Sequence, residues 1–307
     1  MIVDWGPMRN TMAQLALAGS VLAALLVLPA TTTAAGAGTT SSPSYYVSIG
    51  DSYAIGYQPD PTVSLRFGYT RGVISAERKQ GTNLTLANFG CGGATTTSLL
   101  TTAGCPDPAP PALNGVPYPT VPQATAATAF IAAHRGHVAL ITISIGGNDV
   151  TKCALSPNPT ACVVSAVPAV ASNVATLMVQ VRAAAGNTTP IVGLTYPDVI
   201  LGTWVHPPVS TSLASLSVAA FRLALNPSLK TAYGANGGTF VDVTRATGAY
   251  TPLTKTTISR PYGRIPVAVA LACTFTWYCA KGDIHPHTVG YQLIANLIVA
   301  ALPKRLR

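Results

Sequence analysis

The sequence predicts an α/β fold, a three-layer α/β/α sandwich around a mainly parallel five-stranded sheet. Strand-like and helix-like segments alternate from residue 45 onward, and strands separated by helices pair in parallel through right-handed crossovers. Of the 307 residues, 49% are hydrophobic and 9% are charged, a composition that excludes intrinsic disorder. No internal repeat or second domain is visible, so we expect residues 45–307 to form one domain around a single core.

The five predicted strands are apolar runs rich in β-branched residues, which suit a buried pleated sheet. In chain order they are residues 45–49, 84–89, 138–145, 190–195 and 239–243. The helix-compatible stretches are residues 70–80, 121–134, 167–185, 212–225 and 289–302. Ligands of such sheets bind beyond the carboxyl ends of the strands, so a functional site is expected in the loops after the first three strands.

Residues 1–37 are predicted to be a secretory signal peptide. Arg9 precedes a largely apolar run over residues 15–28, and the small residues 34–37 follow it. This run is shorter than the ~20 residues that cross a bilayer, which favours a cleaved leader over an uncleaved anchor. Residues 38–44 are interpreted as a linker. Because no later run looks long and apolar enough to span a membrane, we expect the mature protein to be secreted, either free or associated with the cell envelope.

The six cysteines all follow the leader, in agreement with export. They fall into three pairs that are close in sequence, each bracketing a plausible loop, and six cysteines allow 15 connectivities. We expect the nearest-neighbour pairing: Cys91 with Cys105, Cys153 with Cys162, and Cys273 with Cys279. No C-x-x-C motif or zinc-finger spacing is present, so neither a metal site nor a cofactor is expected.

The net charge is +9, but the basic residues are scattered apart from those at 304–307. Nucleic-acid-binding proteins usually cluster Lys and Arg on one stripe or helix face, so a nucleic-acid partner is not expected.

The loop after the first predicted strand carries a candidate nucleophile, Ser52, within Gly50-Asp51-Ser52-Tyr53. A Ser on a tight turn between strand and helix exposes its hydroxyl beside the backbone donors of the helix N-terminus. The next two loops carry candidate hydrogen-bond donors: backbone amides in the glycine-rich segment 88–95, and the side-chain amide of Asn148 in Gly146-Gly147-Asn148-Asp149. Taken singly, each segment is also an ordinary turn.

A candidate base, His285, lies in Asp283-Ile284-His285-Pro286, just before the last predicted helix. Neutral imidazole accepts a proton near pH 7, and His287 is the alternative base. The other three histidines are interpreted as structural: His134, His137 and His206. An acyl-transfer site requires a nucleophile, oxyanion donors and a base. The segments that carry the candidate nucleophile and donors follow the first three strands and therefore meet at one end of the sheet.

Together, these four blocks resemble the signature blocks of the GDSL-type, or SGNH, hydrolase superfamily, over residues 45–302. The resemblance implies a flavodoxin-like sandwich, and the secreted, disulfide-bearing actinobacterial members look most similar. It implies that Ser52 is the nucleophile and His285 the base. The implied oxyanion hole consists of the backbone N–H groups of Ser52 and Gly93 and the side chain of Asn148. No Gly-x-Ser-x-Gly elbow is present, which argues against the larger α/β-hydrolase family.

One position departs from the family's pattern. The family usually has Asp three residues before the His, where this chain has Gly282, and Asp283 lies only two before. We expect Asp283 to accept from His285 Nδ1, because an ionised acceptor also stabilises the imidazolium that forms. The alternative is a backbone carbonyl in this role, which leaves a Ser-His dyad.

The expected function is carboxylic ester hydrolysis, by an esterase or lipase that acts as a monomer on acyl esters or lipids. Polysaccharide O-deacetylation is the enzymatic alternative. The non-enzymatic alternative is a catalytically dead scaffold that binds the cell envelope, although the Ser, Gly, Asn and His set shows no lesion. The Pro/Thr-rich stretch after Cys105 and residues 196–212 are candidate walls of an acyl pocket.

Overall fold

Five parallel strands form the central sheet in the computed structural model of the protein. They are β1 (Ser44–Gly50), β2 (Leu84–Asn88), β3 (Val138–Ser144), β4 (Ile191–Leu194) and β5 (Thr239–Val241). The structure describes residues 44–60, 62, 67–105, 112–304 and 306. The predicted signal peptide and all but the last residue of the predicted linker therefore lie outside the described residues.

The helices of the described residues surround this sheet. In chain order they are α1 (Ser52–Ile55), α2 (Tyr69–Lys79), α3 (Thr96–Thr101), α4 (Gln123–Ala133), α5 (Gly147–Thr151), α6 (Pro159–Ala185), α7 (Thr211–Ala220), α8 (Asn226–Gly234), α9 (Val243–Ala246), α10 (Val267–Phe275), α11 (Tyr278–Lys281) and α12 (Thr288–Ala300). A 3₁₀ segment covers Val199–Trp204, and one π-helical stretch, Phe221–Leu225, joins α7 to α8. The three-layer α/β fold predicted from the sequence is confirmed.

The strand order is β2-β1-β3-β4-β5, so β1 lies between β2 and β3. Val47 of β1 is opposite Ala87 on one side and Ile141 on the other. The chain thus turns to one side after β1 and crosses to the other side after β2. At such a switch point the loops at the carboxyl ends diverge and leave a crevice. This topology directs the segments after β1, β2 and β3 to one end of the sheet.

Each face of the sheet buries its own hydrophobic cluster. On one face, Ile141 and Ile143 of β3 share a cluster with Val174 of α6 and Ala127 of α4. On the other face, α2 and α12 pack together and bury Tyr291 against the sheet. Both layers are therefore held by apolar burial, the main stabilising contribution to folding.

Helix α6 begins at Pro159, eight residues before the predicted start. The Asn158 side chain accepts a hydrogen bond from Ala161 N at 3.0 Å, and Pro159 occupies the first position, where no backbone donor is needed. With 27 residues and few charged side chains, α6 is long and apolar enough to cross a membrane by length and composition. The expectation that no later run meets this criterion was wrong. In this fold, Val170, Val174 and Val181 of α6 are buried in the core.

Three disulfide bonds follow the nearest-neighbour pairing. The Cys91–Cys105 bond attaches the glycine-rich turn after β2 to the segment after α3. The Cys153–Cys162 bond closes the connection between α5 and α6. The Cys273–Cys279 bond joins α10 to α11, directly before the loop of His285. All three bonds brace segments that lead into or out of the candidate blocks.

Candidate active site

Ser52 lies at the first position of α1, immediately after β1. Gly50 has a φ of 144°, and a Cβ atom there would lie 2.1 Å from the carbonyl oxygen of Ser144, so this turn requires glycine. The Asp51 carboxylate caps the helix by accepting from Tyr53 N at 2.9 Å. The Gln123 side chain bonds both the N–H and the C=O of Gly50 at 3.0 Å. These contacts fix the backbone that carries the Ser52 hydroxyl.

A hydrogen-bonded chain connects Ser52, His285 and Asp283. His285 Nε2 lies 2.7 Å from Ser52 Oγ, and His285 Nδ1 lies 2.8 Å from Asp283 Oδ1. The same carboxylate oxygen accepts the backbone N–H of His285 at 2.9 Å. Burial raises the pKa of Asp283, but the hydrogen bonds and the charge of His285 outweigh burial and hold this pKa below its usual range. Asp283 is therefore ionised at neutral pH and acts as an acceptor for both groups.

The loop of His285 is fixed from three directions. Trp277 N donates to His285 O at 2.9 Å, and His287 N donates to Phe275 O at 2.8 Å. From the nucleophile turn, the Tyr53 hydroxyl donates to Ile284 O at 2.7 Å. The imidazole is thereby held by the residues on both sides of it.

A hydrogen bond connects the segments of the two other candidate oxyanion donors. Gly93 is in the turn after β2, with a left-handed φ of 67°. Asn148, in α5, donates from Nδ2 at 2.9 Å to the carbonyl oxygen of Ala94, the residue after Gly93. One Nδ2 proton is used in this bond, and the other is free to point at a ligand. Among the described residues, no protein acceptor bonds the backbone N–H of Ser52 or Gly93.

Asp149 attaches the Asn148 turn to the glycine-rich turn. Its two carboxylate oxygens accept from Thr96 N at 2.9 Å and from Thr96 Oγ1 at 2.8 Å. Because Thr96 begins α3, the Asp149 side chain caps the N-terminus of this helix from a separate element, α5. Both oxyanion candidates are consequently held in one rigid unit.

An apolar cleft of about 770 Å³, partly open to solvent, opens beside these groups. Asn148, Tyr53 and Ile284 line the end near Ser52 and His285. Apolar side chains form most of the remaining wall: Val150, Val163, Val199, Ile200, Leu213, Leu216, Ala220, Phe221 and Leu225. A predominantly apolar surface of this kind favours a hydrocarbon chain.

Of the two segments expected to form walls of an acyl pocket, the described residues of only one line the cleft. Residues 196, 197, 199 and 200, from the start of the segment 196–212, do line the cleft. Trp204 and Val205 instead pack against a separate cluster with α10. Of the stretch after Cys105, residues 106–111 lie outside the described residues, and its described part, from residue 112 on, does not line the cleft.

The imidazole that bonds Ser52 is that of His285, and the alternative base, His287, makes no hydrogen bond with Ser52 among the described residues. The His287 ring packs against the Trp277 ring at a tilt of 41°, with a centroid separation of 3.9 Å. Burial, followed by the charge of Lys281, holds the pKa of His287 below its usual range.

Three residues around Ser52 had no role assigned from the sequence, Asp51, Tyr53 and Gln123, and Tyr196 was expected only as part of a pocket wall. Asp51 and Tyr53 lie inside the nucleophile block, and Tyr196 follows β4 at the same end of the sheet; these positions are the sequence signal that indicates a role at the site. Gln123 carries no such signal, because a Gln at a helix start is common. Asp51 is 1% exposed, and burial raises its pKa to about 6, although the Tyr196 hydroxyl offsets part of this rise.

The model of the GDSL-like Lipase/Acylhydrolase family matches residues 48–293. Among proteins of curated function, no sequence matches the chain significantly.

Several solved structures share the fold at low sequence identity. A lipase from a goat rumen metagenome is 15% identical, with a TM-score of 0.52, over 84% of this chain and 97% of its own. The extracellular lipase of Streptomyces rimosus is 18% identical, with a TM-score of 0.52, over 84% and 100%. Phospholipase A1 of Streptomyces albidoflavus NA297 is 17% identical, with a TM-score of 0.50, over 85% and 100%.

Proposed function

Because the chain belongs to the GDSL-like lipase/acylhydrolase family, we propose that it is a secreted serine hydrolase that cleaves carboxylic esters. The observation that carries the proposal is the hydrogen-bonded chain from Ser52 Oγ through His285 to Asp283, with separations of 2.7 and 2.8 Å. A hydroxyl within reach of an imidazole that is itself held by a carboxylate is the arrangement that activates a serine.

In the proposed acylation step, His285 Nε2 removes the Ser52 proton while Ser52 Oγ attacks the ester carbonyl carbon. The carbonyl oxygen becomes an oxyanion, which accepts hydrogen bonds from the backbone N–H groups of Ser52 and Gly93 and from Asn148 Nδ2. When the tetrahedral intermediate collapses, the bond to the alcohol oxygen breaks, and His285 gives its proton to that oxygen. The alcohol leaves, and the acyl group stays on Ser52.

In deacylation, His285 removes a proton from water, and the resulting hydroxide attacks the acyl carbon. The same oxyanion donors stabilise the second tetrahedral intermediate, and His285 returns the proton to Ser52 as the acid leaves. The ionised Asp283 keeps Nδ1 protonated, so that Nε2 is the nitrogen that accepts, and stabilises the imidazolium in both steps.

The proposed acyl site is the apolar cleft beside Asn148. Its wall is almost entirely hydrocarbon, so burying an acyl chain there is favourable by about 0.8 kcal/mol for each CH₂ group. An acyl carbon placed between Ser52 and Asn148 would direct its chain toward α7. This supports acyl esters, including those of lipids, as the substrate class.

The proposed location outside the cell agrees with the three disulfide bonds, which persist in oxidising compartments. A cleaved leader over residues 1–37 would supply the export signal.

Hydrolysis of a p-nitrophenyl ester series from acetyl to palmitoyl tests the proposal directly. We expect Ser52→Ala to lose activity on every ester, and Ser215→Ala, the same change on the exposed side of α7, to retain it. Equal rates for Ser52→Ala and the unmodified protein would remove Ser52 from the mechanism. No hydrolysis of any ester by the unmodified protein would contradict the proposed substrate class.

A further inference from the structure

Tyr196 stands between the turn of Ser52 and the turn of Asn148. It follows β4, is 5% exposed, and donates from its hydroxyl to Asp51 Oδ2 at 2.6 Å. Asp51 directly precedes Ser52 and caps α1 with its other carboxylate oxygen. The phenol is thus bonded to the carboxylate that caps the helix of the nucleophile.

The same ring supports the oxyanion turn. A Cβ atom on Gly147 would lie 2.8 Å from the ring carbon Cζ of Tyr196, so the Gly147 backbone rests directly on the phenol. Gly147 is the residue before Asn148, and a side chain at this position would push the turn away from the ring. One side chain therefore contacts both turns, each at the residue next to a proposed catalytic group.

Tyr196 is itself held rigidly. The Thr244 hydroxyl donates to Tyr196 O at 2.7 Å, and the Tyr53 ring packs edge-on at a centroid separation of 4.8 Å. Burial, and then the charge of Asp51, raise the pKa of Tyr196 well above its usual range, so the hydroxyl keeps the proton that it donates.

We propose that Tyr196 is a positioning residue for the hydrolysis reaction: it sets the separation between the Ser52 nucleophile and the Asn148 oxyanion donor. The inference rests on the proposed function of Ser52 and Asn148. Catalysis depends on such separations because a misplacement of about 1 Å can cost about 100-fold in rate.

Tyr196→Phe removes the bond to Asp51 and keeps the ring under Gly147. We expect kcat per active site to fall about tenfold and KM to change by less than about twofold, because the loss affects the transition state and leaves the acyl cleft intact. Active sites are counted by fluorophosphonate labelling, so a smaller folded fraction does not count as a loss of kcat. An unchanged kcat would overturn the inference.

A double-mutant cycle with Asn148→Ala separates positioning from a general structural role. If Tyr196 acts by placing Asn148 against Ser52, Tyr196→Phe should lower kcat less than about twofold in the Asn148→Ala background. A loss of the same size in both backgrounds would show independent effects and overturn the inference.

Tyr233→Phe is the matched control. Tyr233 is fully buried under Gly193 of β4, and its hydroxyl has no hydrogen-bond partner among the described residues, so we expect kcat to be unchanged. A failure of the proposed function can be told from a failure of the Tyr196 role, because Ser52→Ala would retain activity only in the first case. If Ser52→Ala is inactive and Tyr196→Phe is normal, only the role of Tyr196 is wrong.

Discussion

Asp283 bonds the His285 ring although it precedes His285 by two residues, where the family's pattern has three. Its carboxylate accepts both the backbone N–H and the ring Nδ1–H of a residue two positions later. A carboxylate that bonds the N–H two residues on forms an Asx turn, which is favourable for Asp. Gly282, with a left-handed φ of 66°, ends α11 and lets the chain enter this turn. The local turn therefore compensates for the shifted Asp.

Asp283→Asn tests this role. We expect kcat to fall by more than about tenfold and up to about 10⁴-fold, since an amide does not hold the imidazole in the required tautomer or stabilise the imidazolium. KM should change little. Steady-state kinetics on a p-nitrophenyl ester measures both constants, and a loss of kcat under about tenfold would favour a Ser-His dyad.

Asn148→Ala should lower kcat by about 10²–10³-fold, the cost of removing one oxyanion donor, with little change in KM. The matched control is Asn296→Ala on the exposed side of α12, which should retain full activity. A change confined to KM would contradict the role of Asn148, because it would indicate binding that is equal in ground state and transition state.

The residues at the site differ in how far the sequence predicts them. Ser52, Asn148 and His285 were proposed because their residue types carry chemistry and their blocks resemble a known family. Tyr196 contacts the Asp51 carboxylate and the Gly147 backbone, and Gln123 contacts the Gly50 backbone; such contacts depend on packing that no local pattern records.

At the scale of elements, the strands were predictable because buried parallel strands are continuous apolar, β-branched runs; every boundary lies within two residues of its prediction. The start of α6 was missed because residues 159–166 contain no marked periodicity, and the cap at Asn158 reads equally as a turn. The hairpin of β6 (Thr256–Ser259) and β7 (Gly263–Pro266) was missed because its strands are only four residues long and neither contains an apolar run.

The cleft wall on α7 should determine acyl chain length. Ala220→Phe fills part of the cleft, so we expect the optimal acyl chain length to become shorter. The rate on the acetyl ester should stay within about threefold, because an acetyl group does not extend into the part of the cleft that the Phe ring fills. Ala219→Phe, on the exposed side of the same helix, should leave the chain-length profile unchanged. The same ester series measures both variants, and an unshifted profile for Ala220→Phe would place the acyl chain elsewhere.

At the scale of the whole molecule, the fold buries carboxyl groups that affect global stability. Asp198, at the start of the 3₁₀ segment, is 1% exposed, and burial raises its pKa to about 7, partly offset by the hydrogen bond from Ser217. Burial likewise raises the pKa of Asp51 to about 6. Since both pKa values lie above those of the unfolded chain, the folded state binds more protons in this range. The contribution to stability is present below about pH 4 and is lost as the pH rises through about 7.

Asp198→Asn removes one of these titrations. We expect the free energy of unfolding at pH 8 to rise by up to about 4 kcal/mol relative to the unmodified protein, with little difference at pH 4. Denaturant unfolding at pH 4, 6 and 8 measures the effect. The control is Asp60→Asn, at an exposed carboxyl, in which the free energy of unfolding should still decline between pH 4 and pH 8. If it declined by the same amount in Asp198→Asn, the pH dependence would not come from Asp198.

The order β2-β1-β3 brings the candidate residues together, since it directs three loops to one crevice while the loop between α11 and α12 supplies His285 from the C-terminal part of the chain. The central claim, that Ser52 is a nucleophile activated by His285, is tested most directly by fluorophosphonate labelling followed by mass spectrometry of the labelled peptide. We expect one adduct, on Ser52, forming at least about 100-fold more slowly in His285→Ala, because the serine then has no base. An adduct on another residue, or an undiminished rate of Ser52 labelling in His285→Ala, would contradict it.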